Sequence, residues 1–138
     1  MGMEKRQTGA SAIEELRARL ERADREAADG RHFVELAQAY FRFALEHPGQ
    51  FRLMFGHPCD QPDPERVDAA ERTRLVIADR MAQSVAGLRR EGFMVGCWSV
   101  VHGLAALILD GKLLRDGSGA EPLVESVVVA MVPELVRA

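Results

Sequence analysis

The sequence predicts an all-α protein, a bundle of about five to six helices. Apolar residues recur at intervals of three and four along most of the chain, and the period-two alternation typical of strands does not extend over any useful length. The chain has 138 residues, of which 47% are hydrophobic, enough for one domain with one buried core. We therefore expect a single helical domain over residues 11–138, preceded by a disordered tag or tail over residues 1–10.

The charge balance argues against direct binding of nucleic acids. The chain has a formal net charge of −3 and a pI near 5.8, whereas proteins that hold a phosphate backbone present clustered Lys and Arg. Its two cysteines, Cys59 and Cys97, form no CxxC pair, and the first residues do not resemble a secretory signal. These features predict a cytoplasmic protein with reduced thiols.

The first predicted helix covers residues 11–30. Its apolar residues are spaced by three and four, and the faces between them carry pairs of opposite charge. Ser11 is placed to cap the N-terminus, and Gly30 belongs to a turn that ends the helix. The pattern predicts a slender, mostly solvated helix. Its narrow apolar stripe consists of Ile13, Leu16, Leu20, Ala23 and Ala27.

Three further helices are predicted before residue 92. The first of them, Arg31 to His47, has a broad apolar face that other elements must cover, and Pro48-Gly49 breaks it. Residues 50–56 fit two turns of helix. A proline-rich loop follows, and Pro64 suits the first turn of the next helix, where its missing N–H costs nothing. The expected buried stripe of that helix is Leu75, Ala78, Met81 or Ala82, Val85 and Leu88.

The stretch from Phe93 to Leu114 is hydrophobic almost all round and is predicted to be the central helix. Residues 92–109 lack charge for eighteen positions, which reaches the lower limit for a membrane span. The glycines, serine and histidine in this run favour a buried helix of a soluble bundle instead. Four small residues share one face and allow another backbone to approach closely: Gly96, Ser99, Gly103 and Ala106.

A last helix is predicted from Glu121 to Val136. Its valines alone favour a strand, but its apolar residues repeat in adjacent pairs every four positions, and this spacing indicates a helix. The apolar stripe is wider than one small core needs, and leaving it exposed would promote aggregation. A symmetric dimer would bury it.

Two motifs resemble a known family. Residues 39–48, AYFRFALEHP, followed by residues 51–55, FRLMF, resemble the helix-turn-helix of TetR-family effector domains, and residues 98–104, WSVVHGL, are similar to the Trp-His-Gly signature of one class of these C-terminal domains. The resemblance covers residues 31–136. It implies that the helix at 11–30 connects to an N-terminal DNA-binding headpiece. Because only ten residues precede this helix, we expect the chain to lack the headpiece.

The resemblance also implies what the domain does. Such regulators are homodimers in which the last two helices of each copy form a four-helix bundle, and an apolar or amphipathic small molecule inside each subunit tilts the connector. DNA would be bound only through the missing headpiece, and we expect neither a membrane partner nor a cofactor. The expected dimer interface is Gly96, Ser99, Gly103, Ala106, Val124, Val127, Val128, Met131 and Leu135.

Aromatic and methionine side chains adapt to varied small molecules and are candidates for the ligand site, although aromatic residues at helical spacing more often form an ordinary core. Trp98 and His102 are four residues apart and share a helix face. His102 either contacts the ligand or braces the core through a backbone carbonyl. The candidate ligand-binding residues are Phe43, Phe51, Met54, Phe55, Met81, Trp98 and His102.

Other chemistries have weaker support in the sequence. His57, Cys59 and Asp60 are capable of binding metal, but a structural zinc site needs four ligands at familiar spacings. Pairing Ser99 with His102, or Cys59 with a histidine, brings neither an orienting acid nor a nucleophile elbow. We therefore expect neither a metal site nor an enzyme. Two alternatives stay open: a stand-alone helical dimer that pairs with full-length regulators, and a small helical hydrolase.

Overall fold

A computed structural model describes residues 9–55, 64–84, 89–114 and 119–131. These ranges form helices joined by turns and contain no strand, so the predicted all-α bundle is confirmed. The six helices are α1 (Gly9–Glu26), α2 (His32–Glu46), α3 (Pro48–Phe55), α4 (Pro64–Ser84), α5 (Arg89–Leu109) and α6 (Glu121–Met131).

Helix α2 lies at the centre of the bundle. It packs against α1, α3, α5 and α6, and most of its residues are buried. The helix ends at His47, whose φ of −131° and ψ of 60° are not helical, because a following proline disfavours the helical conformation. Pro48 then starts α3, as its fixed φ and missing N–H allow. The predicted break at Pro48-Gly49 is therefore confirmed.

Helix α5 is not the central helix that its composition predicts. Met94, Leu104 and Ala105 are buried, but Val95, Trp98 and Leu107 remain 48%, 43% and 47% exposed. One side of α5 packs on the subunit and the other side is open. A helix that is apolar all round indicates that both sides will be covered, but it does not indicate that one subunit covers both.

Helix α1 packs along α4 and α2. Two ion pairs join α1 to α4: the Asp24 carboxylate accepts two hydrogen bonds from the Arg80 guanidinium, at 2.6 and 3.0 Å, and Arg72 lies 3.1 Å from Glu14. The predicted cap is wrong, because Ser11 lies inside the helix. The fully buried residues of the α1 stripe are Ile13, Leu16 and Leu20.

The buried side of α4 agrees with the predicted one in part. Met81, one of the two alternatives predicted for its position, is fully buried, and Ile77 packs against the core, whereas Leu75 and Ala82 are exposed. Ala78 also packs there, as expected. Positions 75, 78 and 82 and positions 77 and 81 both fit a helical period, so spacing alone does not select between them. The expected residues Val85 and Leu88 lie outside the described residues.

Helix α6 is fixed to α2 by polar contacts at the rim and apolar contacts beneath. Arg31 donates to Glu125 at 3.0 Å, and Arg42 donates to Glu121 at 2.9 Å. The buried amide of Gln38 donates to the Glu121 carbonyl oxygen at 2.8 Å. This last bond satisfies a polar group that would otherwise be costly to bury.

Candidate ligand-binding site

A chain of hydrogen bonds connects three polar aromatic side chains between α2 and α5. The indole Nε1 of Trp98 donates to the Tyr40 hydroxyl at 3.2 Å, and this hydroxyl lies 2.9 Å from Nδ1 of His102. An indole N–H can only donate, whereas the phenol has one proton and two lone pairs, so it pairs with either tautomer of His102. The phenol donates to Nδ1 when the imidazole proton is on Nε2, and it accepts from Nδ1 when the proton is there.

Helix α3 supports this chain from behind. Its buried Phe51 ring stacks on the His102 imidazole, with centroids 5.0 Å apart and planes at 29°, and it meets the Tyr40 ring edge-on at 5.9 Å. Such offset and edge-to-face contacts are favourable arrangements for aromatic rings. The packing fixes the imidazole against the phenol. His102 thus bonds to a side-chain hydroxyl of the core.

Burial shifts the ionisation of the groups in this region towards their neutral forms. Burial raises the pKa of the Tyr40 phenol far above its usual value, although the hydrogen bond from Trp98 partly opposes the shift. Burial lowers the pKa of His102. Burial also raises the pKa of the nearby Cys97 thiol to about 11. These three side chains are therefore uncharged at physiological pH.

Two small cavities lie on either side of Trp98. We define the inner cavity as the one, of about 50 Å³, that is bordered by α1, α2, α4, α5 and α6. Its lining is almost wholly apolar, and the polar atoms available are those of Tyr40, Trp98 and Cys97. Among the residues that line it are Leu20, Phe33, Ala37, Ile77, Val101 and Val128.

We define the outer cavity as the one, of about 60 Å³, between α1, α2, α4 and α5. It shares Tyr40, Ile77 and Trp98 with the inner cavity. It differs by having a polar end, formed by Thr73 and Arg74 of α4. The remaining lining residues are Ile13, Leu16 and Met94. Both cavities thus contact the buried stripe of α1.

The predicted ligand-binding residues separate into two groups. Trp98 lines both cavities, and His102 is joined to them through Tyr40. Phe43, Phe51 and Met81 are buried and line neither cavity. The ring of Phe43 instead packs under the Arg19 guanidinium, 5.6 Å from its centroid. The side chains of two further candidates, Met54 and Phe55, lie outside the described residues.

Sequence reasoning missed Tyr40 and Ile77, which border both cavities. Tyr40 is the only tyrosine in the chain, and it follows Phe33 and Ala37 on the apolar face of α2 at helical spacing. A single hydroxyl on such a face was a usable signal, because a buried phenol needs partners. Ile77 was missed because Leu75, which is exposed, was expected to be buried in its place.

The predicted dimer residues are also divided. Cβ atoms added at Gly96 and Gly103 would meet nothing within 4 Å, so this face of α5 is open in the subunit. Ser99 is exposed and Ala106 is half-buried. Val124 and Val128 instead belong to the subunit core, Val127 is half-buried, Met131 is 60% exposed, and Leu135 lies outside the described residues.

Large apolar side chains of α5 and α6 remain exposed. On α5 these are Val95 and Leu107, which we call the exposed apolar face; on α6 they are Val129 and Met131, which lie roughly 160° apart around the helix and so do not share one face. By length and composition, residues Arg90–Leu109 would suffice to cross a membrane, and 11% of the most apolar window is buried. This surface needs a covering, which a second protein chain or a lipid environment would provide.

The residues considered for other chemistries can be placed in part. Ser99 Oγ donates to the carbonyl oxygen of Val95 at 2.7 Å, one helical turn away, and not to His102. Among the described residues, no group of three or more His, Cys, Asp and Glu side chains is placed to hold a metal ion. His57, Cys59 and Asp60, which were considered as metal ligands and not expected to form a site, lie outside those residues.

Comparison with known families adds independent information. A family model described as "Tetracyclin repressor-like, C-terminal domain" matches residues 33–131, from the start of α2 to the end of α6. The chain belongs to this family. The TetR resemblance is thereby confirmed, while the narrower Trp-His-Gly class stays a prediction. No curated protein matches the chain.

Family membership gives the two cavities and the exposed apolar face a context. The C-terminal domains of TetR-like proteins are regulatory and generally not enzymes, and they typically dimerise and bind small-molecule effectors. Helix α1 precedes the matched residues, yet its apolar stripe is part of the TetR-like core.

Proposed function

We propose that the chain is the ligand-sensing and dimerisation domain of a TetR-type transcriptional regulator. It binds an apolar or amphipathic small molecule in the cavities beside Trp98, and this binding controls the attachment of an N-terminal domain to DNA. The observation that carries the proposal is a nearly apolar cavity, bordered by a neutral hydrogen-bond chain, whose wall includes α1. Such a site suits an uncharged molecule. In this proposal, the bound molecule acts on the rest of the protein by changing the position of α1.

The coupling to DNA runs through α1. Leu20 borders the inner cavity, and Ile13 and Leu16 border the outer one, so a bound molecule presses on one continuous side of this helix. The Asp24–Arg80 pair ties α1 to α4, and the two helices therefore move together relative to α2. A ligand that prefers one position of this pair shifts the population towards it.

Dimerisation through α5 and α6 accounts for the exposed apolar face. The open glycines Gly96 and Gly103 permit a second helix to approach closely, and Val95 and Leu107 then supply apolar contacts. TetR-family regulators are soluble proteins, which favours a second copy over a lipid environment as the covering. Met131 lines the inner cavity and is 60% exposed, so a partner subunit that covers it would also help to close the cavity.

Native mass spectrometry of the purified protein tests both parts of the proposal. We expect a mass near twice 15.3 kDa, with additional mass in each subunit from a retained molecule when the expression host supplies one. The variant Leu107→Glu should convert the dimer to monomer, since it places a charge within the face that pairs. The control Leu75→Glu, on the exposed side of α4, should remain dimeric. A monomeric wild-type protein would overturn the proposal.

A further inference from the structure

The two cavities share three lining side chains, Tyr40, Ile77 and Trp98. Tyr40 is 5% exposed and joined to His102, and Ile77 packs against the core. Trp98 is the largest of the three and the most exposed, so it is the one able to leave without opening the core. Moving its indole would join the cavities into one elongated space that reaches from α6 to Arg74 on α4.

We propose, building on the function above, that the two cavities are compartments of one site divided by Trp98, and that its ligand is an elongated, uncharged molecule with an apolar body and a carbonyl-type acceptor at one end. The body lies in the inner cavity, and the acceptor faces Arg74 in the outer cavity. The ligand displaces the indole when it binds.

The size of the cavities requires this displacement. Volumes of about 50 and 60 Å³ are far below the roughly 300 to 1,000 Å³ that sites for drug-sized ligands occupy. A molecule that spans both compartments must take the place of the indole between them. The hydrogen bond from Trp98 to Tyr40 then breaks, and the Tyr40 hydroxyl regains a lone pair that a ligand or water can use.

The donors of Arg74 identify the polar end of the ligand. Its Nε and Nη2 atoms donate to the Glu71 carboxylate, whereas Nη1 donates to the sulfur of Met94 at 3.7 Å. A thioether is a weak acceptor. An oxygen acceptor on the ligand would replace this contact with a stronger, charge-assisted hydrogen bond. Because Arg74 also lines the outer cavity, this donor is at the right place to hold the end of the ligand.

The local charge selects an uncharged end over an anionic one. The hydrogen bonds that Arg74 donates to Glu71 and the charge of Glu91 both raise the pKa of Arg74, so two carboxylates already act on one guanidinium. The next arginine, Arg72, is occupied by Glu14 and Asp68. A carboxylate ligand would add a third negative charge to this end. A ketone, ester or amide oxygen accepts the same hydrogen bond without that repulsion.

Titrations with methyl octanoate and with octanoate test the proposal on the intact protein. Trp98 is the only tryptophan in the chain, so its fluorescence reports directly on the divider. We expect the ester to shift the emission and to increase quenching by acrylamide, because the indole moves into water. Octanoate at pH 7.5 should bind at least about tenfold more weakly.

Substitutions at Arg74 and at Trp98 separate the parts of the proposal. Arg74→Met should weaken binding of the ester by about tenfold, since a charge-assisted hydrogen bond is lost. Arg25→Met, on the exposed side of α1 and at neither cavity, should not. Trp98→Ala removes the indole and so joins the compartments before the ligand binds. It should tighten ester binding severalfold, as measured by calorimetry, and Trp98→Phe should have an intermediate affinity.

Each contrary result would overturn one stated part of the proposal. Equal or tighter binding of octanoate would overturn the uncharged end, and binding of the ester without any change in Trp98 emission would overturn the divider. Failure of a dimeric protein to bind the ester, while it retains another ligand, would overturn this inference and leave the proposed function standing. A monomer would instead overturn the proposed function itself.

Discussion

The Trp98 indole and the Tyr40 phenol meet across the boundary between α5 and α2, with Nε1 3.2 Å from the hydroxyl oxygen. The same hydroxyl is bonded to His102, one helical turn beyond Trp98 on α5. One buried oxygen therefore joins two side chains of a helix whose other side is exposed. This relationship positions the half of α5 that borders the ligand cavities, and it yields predictions for both stability and binding.

The Tyr40→Phe variant should be less stable than the wild type. It keeps the ring but removes the hydrogen bonds to Trp98 and His102, and the expected loss is about 1–3 kcal/mol in the free energy of unfolding. Urea unfolding measures this quantity. In a double-mutant cycle with Trp98→Phe, the two effects should not add, because both variants remove one shared bond. Simple additivity would contradict the hydrogen-bond chain.

The stability of the protein should fall as the pH is lowered from 7.5 to 5.5. The pKa of His102 is lowered in the folded state by burial, so the neutral imidazole contributes stability above the unfolded pKa of about 6.5. This contribution is lost as the pH falls through the folded pKa. Urea midpoints at the two pH values measure the difference, and His102→Asn should reduce it. The control is His32→Asn, at the start of α2 and away from Tyr40; an unchanged pH dependence in His102→Asn would exclude this origin.

The Asp24–Arg80 pair should hold α1 against α4. Asp24→Asn weakens two charge-assisted hydrogen bonds that are mostly shielded from solvent, and the expected cost is about 1–3 kcal/mol. The substitution should increase the rate of amide hydrogen exchange in α1 more than in α2. The exposed neighbour Asp79 supplies the matched variant Asp79→Asn, which should change neither quantity. Equal behaviour of the two variants would show that the pair does not hold α1.

The Gly103→Leu variant should weaken the dimer without damaging the subunit. No atom lies within 4 Å of an added Cβ in the subunit, and leucine favours helix more than glycine does, so the fold itself should not be destabilised. Overpacking at the dimer contact should raise the dissociation constant by about tenfold or more, as measured by analytical ultracentrifugation. Gly49→Leu on α3 is equally open and is the control. An unchanged dimer would place the interface elsewhere.

Local signals in the sequence were sufficient for the helices but not for the surfaces between them. Pro48 predicts the end of α2 because a proline acts on the residue before it, whatever the rest of the fold does. The side of α4 that is buried depends on how α1 and α5 pack, and periodicity did not distinguish Leu75 from Ile77. The open side of α5 was not predicted for a similar reason. The hydrophobicity of its residues does not indicate whether the same subunit or a second one covers them.

The candidate site was predicted only in part, because contacts between segments that are distant in the sequence leave no local signal. Trp98 and His102 were found because they are unusual residues at helical spacing within one segment. Tyr40 lies 58 residues before Trp98, and nothing local to either residue reveals that they meet. Phe43 and Phe51 carry the expected chemistry but support the core, because aromatic rings serve both purposes equally well.

The buried stripe of α1 determines where this domain can be joined to others. Leu16 and Leu20 complete the core that α2 and α4 begin, although the family match starts at residue 33. A chimera spliced at that point would lose one wall of both cavities and expose the core. The exchangeable unit is therefore larger than the matched segment, and a graft onto another DNA-binding module should place its seam ahead of α1.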